Sequence, residues 1–78
     1  MIYCKKGGII DDKEILTFKT EYLYTSKKAI IIFVAKNGIQ IQWLFDSIEE
    51  RDDVFKQIMG HIKNKKEYTE IEDICSKH

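Results

Sequence analysis

Apolar and polar positions alternate with period two over the first half of this chain and switch to a helical period after Phe45. Met1 to Lys5 reads as a short strand, and Gly7-Gly8 after it supplies the positive φ a turn needs. From Glu14 to Tyr24, Leu16, Phe18, Tyr22 and Tyr24 share one parity, while Ile15, Thr17, Lys19, Glu21 and Leu23 share the other. Such alternation in Thr, Tyr and Phe marks a strand. Thr25 to Lys28 is polar and predicts a turn. Ala29 to Ala35 is apolar throughout, as expected of a strand buried on both faces.

Asn37-Gly38 between this run and Ile39 to Phe45 predicts a two-residue type I′ hairpin. That loop pairs Lys36 with Ile39, Val34 with Ile41, Ile32 with Trp43 and Ile30 with Phe45. One face is then wholly apolar: Ile30, Ile32, Val34, Ile41, Trp43, Phe45. Ser47 with Glu50 three residues later forms a capping-box pattern. Ile48, Val54, Phe55, Ile58, Met59 and Ile62 follow at helical spacing and form the stripe expected to cover that face. Acids at the helix start and lysines toward its end suit the macrodipole. Gly60 inside it costs about 1 kcal/mol against Ala and marks either close packing or a bend.

The predicted fold is α+β: an antiparallel β-meander of four to five strands followed by one packed amphipathic helix. Residues 1–66 make the single domain. Residues 67–78 form a tail compatible with a short helix, an added strand or a frayed end. One helix cannot cover both faces of the hairpin. Ile31, Phe33 and Leu44 therefore look outward, and with Tyr22 they are the candidate interface for a second copy or another protein.

Composition narrows the function classes. At 78 residues this is one domain with a thin core, and 44% hydrophobic residues argue against disorder. The 13 basic residues balance the 13 acidic ones, and Arg51 is the only arginine. Phosphate-binding proteins carry a basic excess and favour Arg, so nucleic acid is the second reading. It would use Lys27, Lys28 and Lys36 as a lysine rim, with Tyr24 and neighbouring aromatics for stacking. Cys4 and Cys75 make no disulfide framework; reduced thiols are the expectation, a single bridge between the chain ends the alternative. No apolar run approaches the ~18 residues of a membrane span. The expected setting is the cytoplasm.

No pattern specifies chemistry. The acids from Asp46 to Asp53 fall in the first helical turns, where capping explains them, and they lack the calcium-loop spacing. Cys75 and His78 have no paired spacing with Cys4 or His61 that would complete a metal site. Gly7-Gly8 lacks the glycines of a phosphate loop. No catalytic, cofactor or metal residues are assigned, and a non-enzymatic module is expected.

The segment Trp43-Leu44-Phe45-Asp46-Ser47-Ile48-Glu49-Glu50-Arg51-Asp52-Asp53-Val54-Phe55, with the hairpin before it, resembles the end of pleckstrin-homology-like domains and of small uncharacterised bacterial and phage proteins. The resemblance implies a sheet closed by a C-terminal helix. It carries over no binding residue, because the strand count is short and an Arg-bearing basic loop is missing. The strand order is also similar in topology to dimeric, single-strand-binding whirly and coactivator-type domains.

Overall fold

The computed structural model describes residues 1–72. Two small sheets and one helix share a core. Strands β1 (Ile2–Cys4) and β2 (Gly8–Ile10) form an antiparallel hairpin, joined to β3 (Ile15–Leu23) through a 3₁₀ turn at Asp12–Glu14. Strands β3, β4 (Lys28–Ala35) and β5 (Gln40–Phe45) form a three-stranded antiparallel meander. Helix α1 (Ile48–Lys63) follows, and the two-residue strand β6 (Thr69–Glu70) pairs parallel with β1. The meander is thus shorter than expected, because the N-terminal strands leave it and build a second sheet, ordered β2-β1-β6.

The β4–β5 register differs by one residue from the expected one. Phe33 faces Ile41, Ile31 faces Trp43, and Ala29 faces Phe45. The turn explains the shift. A type I′ loop needs positive φ at both central residues. Gly38 has φ 89°, but Asn37 is not among the residues with positive φ. Instead Gly38 N–H donates to Ala35 O at 2.9 Å, and Ala35 N–H donates to Ile39 O at 2.8 Å. The Asn37 side chain accepts from Ile39 N–H at 3.0 Å. Lys36, Asn37 and Gly38 therefore form a three-residue loop with glycine in the left-handed position.

A one-residue slip turns each side chain of a strand to the other face. The inner face of the meander carries Ile31 and Phe33 beside Trp43 and Phe45, packed with Ile2, Cys4, Ile10, Val54 and Ile58. Ile31 and Phe33 are thus core residues, and the expectation that they form an interface is corrected. Ile30, Ile32 and Val34, expected in the core, lie on the outer face. Phe33 meets Trp43 edge-on at 4.9 Å, and Phe18 bridges Phe33 and Phe55. Aromatic pairs of this kind add about 0.5–1.5 kcal/mol beyond area burial.

Helix α1 begins as its cap predicts: Ser47 Oγ accepts from Glu50 N–H at 3.1 Å. The Glu50 carboxylate accepts from Asp46 N–H and binds Lys6 in the β1–β2 turn. Its covered face is narrower than the expected stripe. Val54, Ile58 and His61 are buried, while Ile48, Met59 and Ile62 are exposed. Beyond the helix, Ile71 N–H donates to Tyr3 O, and Gln57 exchanges two hydrogen bonds with the Glu72 backbone. Residues 69–70 of the tail thus adopt the added strand.

The two glycines Gly7 and Gly60 make opposite demands. A Cβ on Gly7 would stand 2.4 Å from the Trp43 indole, so the β1–β2 turn lies directly on that ring. Gly60 has open space around it and marks no close packing. Gly7→Ala is expected to destabilise by about 1–3 kcal/mol through overpacking. Gly60→Ala is expected to stabilise by up to about 1 kcal/mol through helix propensity. Urea denaturation of both variants checks the pair.

Candidate functional site

Two surfaces have the geometry to engage something else. The first is the outer face of the meander. Its rows are Glu21–Ile30–Leu44, Lys19–Ile32–Gln42 and Thr17–Val34–Gln40. Strand β4 is central, so its apolar residues are screened by longer side chains on both sides, and Ile30 and Ile32 are buried. At one end the screen opens: Leu44 is 48% exposed and Leu23 38%. The helix and the β1–β2 hairpin place their buried side chains against the other face.

The sequence-derived candidates distribute unevenly. Leu44 is exposed on the outer face. Tyr22 is half-buried on the inner parity and meets the exposed Tyr24 edge-on at 5.0 Å. The lysines are not brought together. Lys27 precedes β4 and Lys28 opens it, while Lys36 follows it, eight residues beyond Lys28, a strand length of roughly 25 Å at ~3.3 Å per residue. Lys28 is also ion-paired with Asp46. That pairing, and then the nearby Lys6, holds the Asp46 carboxyl below its ordinary value.

The second surface is a half-open cleft of about 560 Å³ between β2, β3 and the end of α1. Its floor is the buried Ile2, Ile10, Phe33 and Ile58, and half-buried Ile15 and Phe18 continue it. Asp12 and His61 also line it, and Lys13, Lys65 and Lys66 stand exposed at its rim.

His61 is 1% exposed. Its Nδ1 lies 2.7 Å from Thr69 Oγ1. Its Nε2 lies 3.2 Å from Asp12 Oδ2, but the angle fails hydrogen-bond geometry and leaves this buried nitrogen without a bonded partner. Asp12 also receives the Met1 ammonium at 2.8 Å. Desolvation pushes the Asp12 carboxyl upward, yet the ammonium, His61 and its own backbone N–H outweigh it and hold the group below 3.8.

The sequence reading missed Asp12, and considered His61 as a metal ligand without paired spacing. A signal for His61 existed: it lies three residues after Ile58 and seven after Val54, on the same helix face. Asp12 carried none, since its partners, the Met1 ammonium and His61, are distant in sequence.

The helix C-terminus builds the cationic rim. Lys66 N–H donates to His61 O at 3.1 Å and Lys65 N–H to Ile62 O at 3.2 Å, the paired bonds of a Schellman motif. Lys65 takes the left-handed position, φ 51°, where glycine is the usual occupant.

Among the described residues no group of three or more His, Cys, Asp or Glu could hold a metal ion, and no helix is long and apolar enough to cross a membrane. Cys75 and His78 lie outside the described residues. Comparison with known proteins finds no matching family model, no matching curated protein and no matching solved structure. The pleckstrin-homology and whirly resemblances therefore rest on the sequence alone.

The Asp12 contacts set a pH dependence. A carboxyl lowered in the folded state contributes stability above its ordinary value, and that contribution vanishes as pH falls through the folded value. Asp12→Asn is expected to be less stable than the parent at neutral pH, with the difference shrinking as pH falls below about 4. Urea titrations at several pH values read this directly.

Proposed function

We propose that this protein is a small non-enzymatic interaction module that self-associates through the outer face of its β3–β4–β5 sheet. The observation that carries the reading is the half-exposed Leu44, flanking the apolar stripe of Ile30, Ile32 and Val34 on a face against which the described elements place no buried side chain. Leu23 extends the apolar end. An isologous dimer needs a self-complementary patch. Lys19 and Glu21, on the same face of β3 and ion-paired with each other at 3.7 Å, supply one: a two-fold axis between them lets each lysine exchange its own glutamate for the partner's. Zero net charge removes the long-range repulsion that keeps copies apart. Leu44 stays in the interface set from the sequence reading; Leu23 and Val34 take the place of Ile31 and Phe33. We place the module in the cytoplasm, in keeping with the burial of the Cys4 thiol.

Light scattering over a concentration series at low and high salt tests this. The expected result is a dimer that persists at high salt and that Leu44→Glu shifts to monomer with an unchanged circular dichroism spectrum. Phe33→Glu, by contrast, is expected to unfold the chain, because Phe33 is 1% exposed. A strict monomer at all concentrations would overturn the proposal. The lysine-rim reading would gain instead from salt-sensitive binding to single-stranded nucleic acid.

A further inference from the structure

The cleft has the form of a ligand site, and it is separate from the outer sheet face. Its volume of about 560 Å³ falls within the range of small-molecule pockets, roughly 300–1,000 Å³. Three features specify the ligand. The floor is apolar: Ile2, Ile10, Phe33 and Ile58. The rim is cationic. Lys13, Lys65 and Lys66 have no ion-pair partner among the described residues, and they outnumber Glu67 there. The other lining acid, Asp12, is already engaged by the Met1 ammonium. Finally, one lining polar atom is buried without a hydrogen-bond partner, Nε2 of His61. Asp12 Oδ2, 3.2 Å away, meets it as a charge contact.

A fourth observation concerns backbone conformation. Lys65 occupies a left-handed position that a non-glycine residue takes at a cost of about 1–2 kcal/mol. Glycine would stabilise the helix end. Lysine there accepts local strain and adds a charge to the cleft's rim.

We propose that this cleft binds a small amphipathic anion, a medium-chain carboxylate in its simplest form. The alkyl body lies against Ile15, Leu16, Phe18 and Ile62, the apolar lining side chains that keep exposed surface, and the carboxylate sits among Lys13, Lys65 and Lys66. Apolar contact supplies affinity and the lysines supply the preference for negative charge.

The probe is decanoate, kept below its micelle-forming concentration and titrated into the full chain by calorimetry and by methyl and histidine-ring NMR. Decylammonium, with the same chain and opposite charge, is the comparison. The expected result is saturable decanoate binding with shifts at Ile10, Ile15, Ile58 and the His61 ring, and at least about tenfold weaker decylammonium binding, as two surface-type charge contacts would give. The variant Lys65→Gly/Lys66→Ser is expected to lose decanoate affinity by a similar factor while melting at or above the parent's temperature, since Lys65→Gly relieves the left-handed strain. Loss of binding in a chain at least as stable as the parent cannot be misfolding. Equal binding of the two probes, shifts centred on Leu44 and Leu23, or an absence of saturable binding would each overturn the proposal. None of these outcomes bears on the oligomeric state, which stands or falls on light scattering.

Discussion

The three-residue turn at Lys36, Asn37 and Gly38 sets the register on which the rest of the fold depends. Its two backbone hydrogen bonds, Gly38 to Ala35 and Ala35 to Ile39, pair β4 with β5 so that Ile31 and Phe33 share a face with Trp43 and Phe45. With that face fixed, the remaining elements have one place to go. The helix lays Val54 and Ile58 on it, and the β1–β2 hairpin adds Ile2, Cys4 and Ile10. The hairpin's own turn rests on the Trp43 ring, so that a methyl group at Gly7 has no room. Lys6 in that turn then binds Glu50 in the first turn of the helix.

The same register creates both surfaces. Turning Ile31 and Phe33 inward turns Ile30, Ile32 and Val34 outward, between their cross-strand neighbours on β3 and β5. Because α1 buries the face of Val54, Ile58 and His61, Ile62 remains at the surface. The helix end, with its Schellman turn, overhangs the gap between β2 and β3. That gap is the cleft. His61 ties the helix to Thr69 of the last strand on one side and stands beside Asp12 on the other.

Much of the architecture was legible in the residues, and the misreadings share one cause. The segments β3, β4, β5 and α1, the Ser47 cap and the positive φ of Gly38 follow local rules that the sequence states openly. The register does not. Asn37-Gly38 fits a two-residue and a three-residue loop alike, and because β4 is apolar at every position from Ala29 to Ala35, both registers give it an apolar face. The residue pattern does not distinguish them; the turn's backbone hydrogen bonds at Ala35 do. The consequence for the candidate site was direct: Ile31 and Phe33 were assigned outward and prove to be core, while Leu44 lies outside in the observed pairing. The helix stripe failed more mildly, because Met59 and Ile62 obey the period but lie on its margin. The parallel pairing of Thr69–Glu70 with β1 spans most of the chain and has no local signature, and with it went any view of the Asp12, His61 and Thr69 arrangement.

The register itself can be read in solution from cross-strand Hα–Hα nuclear Overhauser effects, which are strong between non-hydrogen-bonded pairs in an antiparallel ladder. With Ala35 bonded to Ile39, those pairs include Ile32 with Gln42 and Ile30 with Leu44. Strong effects between these two pairs are the predicted result. Strong effects between Ile31 and Leu44 and between Phe33 and Gln42 would place the chain in the two-residue-loop register, move Ile31 and Phe33 to the outer face, and contradict the account of the core.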